Sequence, residues 1–308
     1  MTTAAARPAV PVPPFAHPVA VPELDGVTHR WVDVGGLSVH VAEAGPVDGP
    51  PLVLLHGWPQ HWWCWRDVVP LLADRYRLVV PDLRGHGWSG APLGGYDKEQ
   101  LATDLLGLLD VLGLDEVGLV GHDWGGWTSF LAALRAPERF SGLLALGITH
   151  PWQTPSVGRA LQSWRVGYQA VLSTPVVSEH AMRLTPGLVE QAVLAGSTRT
   201  EVFSREDLRL FGEVLQDPPR ARASVRLYRT FLLGESLQVL RGRYTGQRLA
   251  VPTRLVVGED DPVATGPFLS GWEDHTDDMS VEVLPGVGHF VPEEAPDVVA
   301  DRVRTLFS

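Results

Sequence analysis

Short apolar runs recur along this chain at residues 52–55 (Leu-Val-Leu-Leu), 78–80 (Leu-Val-Val), 117–120 (Val-Gly-Leu-Val) and 143–148. Between them lie stretches with helical spacing, at 62–72, at 101–112 and after residue 123. Continuous apolar strands alternating with helices are the pattern of a parallel sheet covered on both faces, because a strand buried on both sides carries no polar alternation. The rhythm then stops. Residues 151–248 read as helical and Arg-rich, broken at Pro175, Pro186 and Pro218-Pro219, with no convincing buried strand. Strands resume at 254–257 and 281–284, and a last helix is predicted over 296–307. The expected fold is therefore α/β. Residues 27–150 and 249–308 form a mostly parallel, doubly wound sheet, and residues 151–248 are a helical cap inserted between core strands.

Upstream, the runs at 31–34 and 38–42 flank Gly35-Gly36 as a hairpin. Residues 1–26 are an Ala/Pro-rich arm, and Pro8, Pro11, Pro13, Pro14, Pro18 and Pro22 break any continuous apolar stretch. A mobile or surface-hugging arm is expected there, not a signal peptide. The net charge is −11 and no basic block interrupts it, which argues against nucleic acid or an anionic membrane as partner. No apolar run approaches the ~18 residues that span a bilayer. A single cysteine, Cys64, allows no disulfide within the chain and fits a reducing, cytoplasmic location. A single lysine, Lys98, leaves little room for Schiff-base chemistry.

The sharpest local signal is Gly121-His122-Asp123-Trp124-Gly125-Gly126, directly after a predicted strand and opening a helix. It has the G-x-Nu-x-G form of a nucleophile elbow with Asp123 where a serine usually sits. The bend is so tight that only glycine fits at its flanks. An Asp merely capping a helix near a glycine turn would look similar, but three further elements stand in order around it. His56-Gly57-Trp58-Pro59 follows the first core strand, Gly258-Glu259-Asp260-Asp261-Pro262 follows the strand at 254–257, and Gly288-His289-Phe290 follows the strand at 281–284. Nucleophile, acid and histidine at successive strand ends give the chain order of an α/β-hydrolase triad. Asp261 is preferred to Asp260 because it directly precedes Pro262.

The core resembles the α/β-hydrolases, and the Asp nucleophile narrows the resemblance to epoxide hydrolases and haloalkane dehalogenases. Residues 56–66 are similar to the H-G-[FW]-P-x-x-W-x-x-W-R run of epoxide hydrolases, and Asp82-Leu83-Arg84-Gly85-His86-Gly87-Trp88-Ser89 matches their D-x-R-G-x-G-x-S loop. Residues 121–125 match their G-H-D-W-G element. Epoxide hydrolases also carry two cap tyrosines, in Y-Q-x-x-x-x-x-P and Y-R contexts. Here Tyr168-Gln169 with Pro175, and Tyr228-Arg229, stand in those contexts, whereas Tyr244 is a decoy. Haloalkane dehalogenases need N–H donors for a departing halide. Trp124 could supply one, and Trp152 or Trp164 a second, since Trp58 stands where such enzymes often have Asn.

The resemblance implies opening of a small hydrophobic epoxide to a vicinal diol. Asp123 attacks an sp³ carbon, Tyr168 and Tyr228 stabilise the alkoxide, and His289, oriented by Asp261, activates water against the resulting ester. A carboxylate suits this chemistry because its alkylated product is an ordinary ester, whereas attack on an ester substrate would give an anhydride. The amides of Trp58 and Trp124 form the oxyanion hole and are expected to act only in the second step. No cofactor and no metal are implied. His56 and His61 share no helical face, and Gly85–Gly90 matches a dinucleotide fingerprint but opens no helix. The alternatives are haloalkane dehalogenase activity at the same Asp and, in a different class, a non-catalytic binding protein on a hydrolase fold. The resemblance also leaves open a homodimer made through the cap.

Overall fold

The structure is a computed structural model and describes Phe15 and residues 18–153, 167–185, 187–264 and 266–308. Trp164 and most of the N-terminal arm lie outside these residues. The sheet has eight strands: β1 (Thr28–Val34), β2 (Leu37–Ala44), β3 (Pro51–Leu55), β4 (Arg77–Pro81), β5 (Val117–His122), β6 (Phe140–Leu146), β7 (Thr253–Gly258) and β8 (Met279–Leu284). Their order is β1-β2-β4-β3-β5-β6-β7-β8. The β1–β2 hairpin and the β2–β4 pair are antiparallel, and every pairing from β4 to β8 is parallel. Every residue of β5 is buried, as expected for a central strand covered on both faces.

Core helices follow the expected alternation: α1 (Val69–Leu72), α2 (Lys98–Leu112) and α3 (Trp124–Arg135). The helix expected over 62–72 is broken into a 3₁₀ turn, Trp62–Trp65, and the single turn α1. Pro70 is the cause. In a continuous helix its nitrogen would have to bond the carbonyl of Arg66, and proline has no N–H and a ring that clashes there.

Between β6 and β7 lie α4 (Tyr168–Leu172), α5 (Val177–Leu184), α6 (Gly187–Gly196), α7 (Arg205–Leu215), α8 (Pro218–Thr230) and α9 (Ser236–Leu240). A π-helical turn, Phe231–Glu235, joins α8 to α9. These helices are tied to the loops at the C-terminal ends of the strands. The buried Arg220 donates to the carbonyls of Gly87 and Ser89 and pairs with Asp217, and the Trp63 indole donates to Asp207. The described part of the N-terminal arm lies on the same joint: Phe15 sits 3.5 Å under the Arg220 guanidinium, and the Trp88 indole donates to the Val19 carbonyl. After β8 come α10 (Val291–Glu294) and α11 (Pro296–Leu306). No helix among the described residues is long and apolar enough to cross a membrane.

Gly125 in the first turn of α3 lets that helix close against β3. A Cβ there would lie 2.4 Å from the Leu55 carbonyl oxygen and 2.5 Å from that of His56, both backbone atoms. Gly125→Ala should therefore destabilise the fold by roughly 3 kcal/mol, the upper range for overpacking, as read from urea denaturation midpoints. Gly94→Ala, where an added Cβ meets nothing within 4 Å, is the control and should unfold with the wild type.

Candidate active site

β5 ends at His122 and α3 begins at Trp124, so the chain must reverse within one residue. That residue is Asp123, held at φ 49°, ψ −121°. Such a conformation is strained for any residue with a Cβ and is retained where the surroundings over-determine it. It lifts the carboxyl group off the sheet toward the His56–Pro59 loop. The Trp58 amide donates to Asp123 Oδ2 at 2.9 Å, and the Trp124 amide also bonds this carboxylate. Gly57 makes the approach possible, since a Cβ on it would fall 2.4 Å from Asp123 Oδ2.

The two amides already grip the Asp123 carboxylate at rest, because the sharp bend aims one carboxylate oxygen at the loop where an incoming oxyanion was expected to sit. Oδ2 is thus held by the Trp58 amide, and the other oxygen, Oδ1, faces His289, whose Nε2 lies 3.9 Å away. This is an ion-pair distance, too long for a direct hydrogen bond.

His289 Nδ1 donates to Asp261 Oδ2 at 3.0 Å. Asp261 is buried, and its other oxygen accepts the amides of Val263 and Ala264 at 2.7 and 3.1 Å. Asp260 points to the surface instead and accepts from the Thr198 hydroxyl. Asp123, His289 and Asp261 therefore form one chain of contacts at the ends of β5, β8 and β7.

Two residues that sequence reasoning missed hold the His289 loop. The His122 ring donates through Nε2 to the His289 carbonyl at 2.9 Å. Glu294, buried at the end of α10, accepts the amides of Gly288 (2.8 Å) and Phe290 (3.1 Å) on either side of His289. It also accepts those of Thr198 and Arg199 after α6, at 2.9 and 3.0 Å. No fixed spacing announces a carboxylate whose partners are backbone amides in two distant loops.

Tyr228, buried on α8, packs edge-on against Trp58 and Trp124, with ring centroids 5.4 and 5.6 Å apart. Tyr168 opens α4; its side chain lies outside the described residues. A cavity of about 440 Å³ adjoins His289, Trp58 and Tyr228 and is walled by Leu172, Ala192, Val263 and Phe290 among others. Among its described lining residues, His289 alone can carry a charge. Tyr244 is elsewhere, its hydroxyl donating to Glu99. Trp152 is also removed as a halide donor, because its indole is engaged with the carbonyls of Tyr244 and Gln247. Among the described residues no group of His, Cys, Asp and Glu side chains could hold a metal ion.

The electrostatics follow from burial. Desolvation raises Asp123 to a pKa of about 6, against the pull of His289 and the two amides. Desolvation also opposes a charge on His289, but Asp261, Asp123 and Glu294 outweigh it and raise the imidazole to about 9. At neutral pH the site thus rests as a carboxylate–imidazolium–carboxylate row.

This site and sheet define an α/β hydrolase. The chain belongs to that family: residues 50–296 match the model of the α/β hydrolase fold. It is 31% identical to a soluble epoxide hydrolase of a Corynebacterium species, over 92% of this chain and 98% of the relative. It is 32% identical to haloalkane dehalogenase 2 of Mycobacterium bovis, over 93% and 97%. The solved structure of wild-type Cfl2 from Burkholderia cenocepacia superposes with a TM-score of 0.81 at 29% identity, covering 96% of this chain and all of that one.

Removing the Asp123 charge removes one of the anions that hold the His289 proton. Asp123→Asn should therefore lower the imidazole titration midpoint from about 9 toward neutrality, read by ring-nitrogen NMR shifts. A midpoint that does not move contradicts the charge row.

Proposed function

We propose that this chain is an epoxide hydrolase that converts an apolar epoxide to a vicinal diol through an ester on Asp123. The observation that carries the reading is the hydrogen bond from the Trp58 amide to Asp123 Oδ2, which leaves Oδ1, on the His289 side, as the attacking atom. Its σ-bond to the epoxide carbon forms as the C–O bond breaks, and the electron pair leaves as an alkoxide. Tyr228, with Tyr168 as its expected partner, donates the proton that the alkoxide needs. Such general-acid help is worth about 10²–10⁴-fold.

Ester formation neutralises Asp123. His289 then loses one of the charges that held its proton, and that proton becomes available to restore the tyrosine. The neutral imidazole, still oriented by Asp261, takes a proton from water as the water oxygen attacks Asp123 Cγ. The developing oxyanion is Oδ2, already bonded to the Trp58 amide, so no rearrangement precedes its stabilisation. Loss of such a donor costs roughly 10²–10³-fold. Collapse breaks the ester bond, the imidazolium gives its proton to the departing alkoxide, and the regenerated Asp123 carboxyl group passes its proton to His289, which restores the resting pair. The apolar cavity walls favour an uncharged hydrophobic substrate.

A second reading, dehalogenation of an alkyl halide at the same Asp, draws support from one observation. The buried Trp124 indole N–H has no hydrogen-bond partner among the described residues and could hold a halide.

The test uses His289→Gln with styrene oxide. Ester formation should proceed and its hydrolysis stall, so intact mass should show a stable adduct on Asp123. The adduct should form more slowly as pH falls below about 6, where Asp123 gains a proton. Adding Tyr168→Phe and Tyr228→Phe should abolish adduct formation from styrene oxide but spare it from 1-bromobutane if dehalogenation also occurs. No adduct with either substrate would sink both readings.

A further inference from the structure

Lys98, the one lysine of the chain, is fully buried in the first turn of α2, where a cation is opposed by burial and by the helix dipole alike. The proposed chemistry does not use it. Its ammonium nevertheless has a dense set of partners. From the core side comes the Tyr96 carbonyl at 3.3 Å. The rest come from the helix that carries Tyr228 and the turn after it: the Leu227 carbonyl, the Thr230 hydroxyl at 3.2 Å and the Glu235 carboxylate at 3.2 Å. Glu235 also accepts the Lys98 backbone amide at 2.8 Å, and the Thr230 hydroxyl donates to the Tyr96 carbonyl at 2.8 Å.

The acceptors bracket Tyr228 in the chain, one residue before it and two and seven residues after. They span the point where α8 passes into the π-helical turn Phe231–Glu235. The Phe231 amide there bonds back to the Tyr228 carbonyl, and the Leu227 carbonyl is met by Lys98 and by the Thr230 hydroxyl. The same ammonium lies 4.6 Å from the Trp124 ring centroid and 5.4 Å from that of Phe231, and both rings pack on each other. Trp124 in turn packs on Tyr228. With every ammonium proton committed to these oxygens, an amine nucleophile is ruled out.

We propose that Lys98 is a positioning residue for epoxide opening: by joining α2 to the irregular turn after Tyr228 and bracing the Trp124 ring, it fixes the Tyr228 hydroxyl relative to Asp123. The proposal rests on the reading of Tyr228 as proton donor. Burial lowers the Lys98 pKa to about 8, opposed chiefly by Glu235, so the clamp is charged at neutral pH.

The experiment is rapid-quench single turnover of styrene oxide, following formation and decay of the Asp123 ester by intact mass. Lys98→Met keeps the stem and removes the charge. It should slow ester formation by about 10–100-fold, the scale of a misplaced catalytic group, and leave ester decay within about twofold. A displaced Tyr228 has nothing left to lose once it lacks its hydroxyl. In a Tyr228→Phe background Lys98→Met should therefore add less than about threefold, a non-additivity expected of coupled groups.

Equal slowing of both steps, or the same loss with and without the Tyr228 hydroxyl, overturns the positioning role. If Lys98→Met does not fold, Thr230→Val removes one acceptor at nearly constant shape. It should slow ester formation alone by about 3–10-fold, the loss of one hydrogen bond, and an unchanged rate overturns the role. Wild type that never esterifies Asp123 overturns the underlying reading, whereas normal ester formation by Lys98→Met overturns only the clamp.

Discussion

A carboxylate lifted by a strained backbone bend onto two backbone amides organises everything else at this site. Asp123 occupies a backbone conformation at φ 49° that disfavours side chains, and it stays there because β5 and α3 leave no other way round the bend. The strain is offset by the packing of a central strand and a helix in the buried core. In return the carboxyl group reaches the Trp58 amide, past a residue that has to be glycine. One oxygen becomes a fixed handle and the other a free edge. In the proposed reaction this assigns the attack to a single atom before any substrate arrives.

The second constraint is charge. An imidazole flanked by Asp123 and Asp261, with Glu294 close behind its backbone, keeps its proton well above the ordinary histidine range. A histidine so protonated is a poor base, and in the proposed cycle that is an advantage at rest, since it keeps Asp123 ionised as a nucleophile. Alkylation of Asp123 erases the nearest anion, so the base is released by the step that needs to precede it.

Much of this was legible in the residues. The apolar runs located the strands because strands buried on both faces have no polar alternation to disguise them. The elbow was legible because a bend of that sharpness tolerates only glycine around it, and Asp261 could be separated from Asp260 by the proline that follows. Other features left no linear trace. The break at Pro70 was visible as a letter but was outweighed by the helical spacing around it. Trp152 was weighed as a halide donor, yet its indole is spent on backbone carbonyls that only the fold brings near. Glu294 and His122 act through backbone groups of distant loops, and no residue near Lys98 in the chain announces that its partners bracket Tyr228. Composition reports how many such groups exist, whereas their use depends on burial and on which oxygens of a neighbouring helix the fold brings within reach.

The decisive measurement is the fate of isotopically heavy oxygen in a single turnover of styrene oxide in ¹⁸O-water, with enzyme in excess. Water that attacks the acyl carbon must leave its oxygen in the Asp123 carboxylate, so the peptide containing residue 123 should gain the label and the first diol should carry none. A labelled diol released from an unlabelled Asp123 would mean that water strikes the epoxide directly, and that the carboxylate held by Trp58 and Trp124 is not the attacking group.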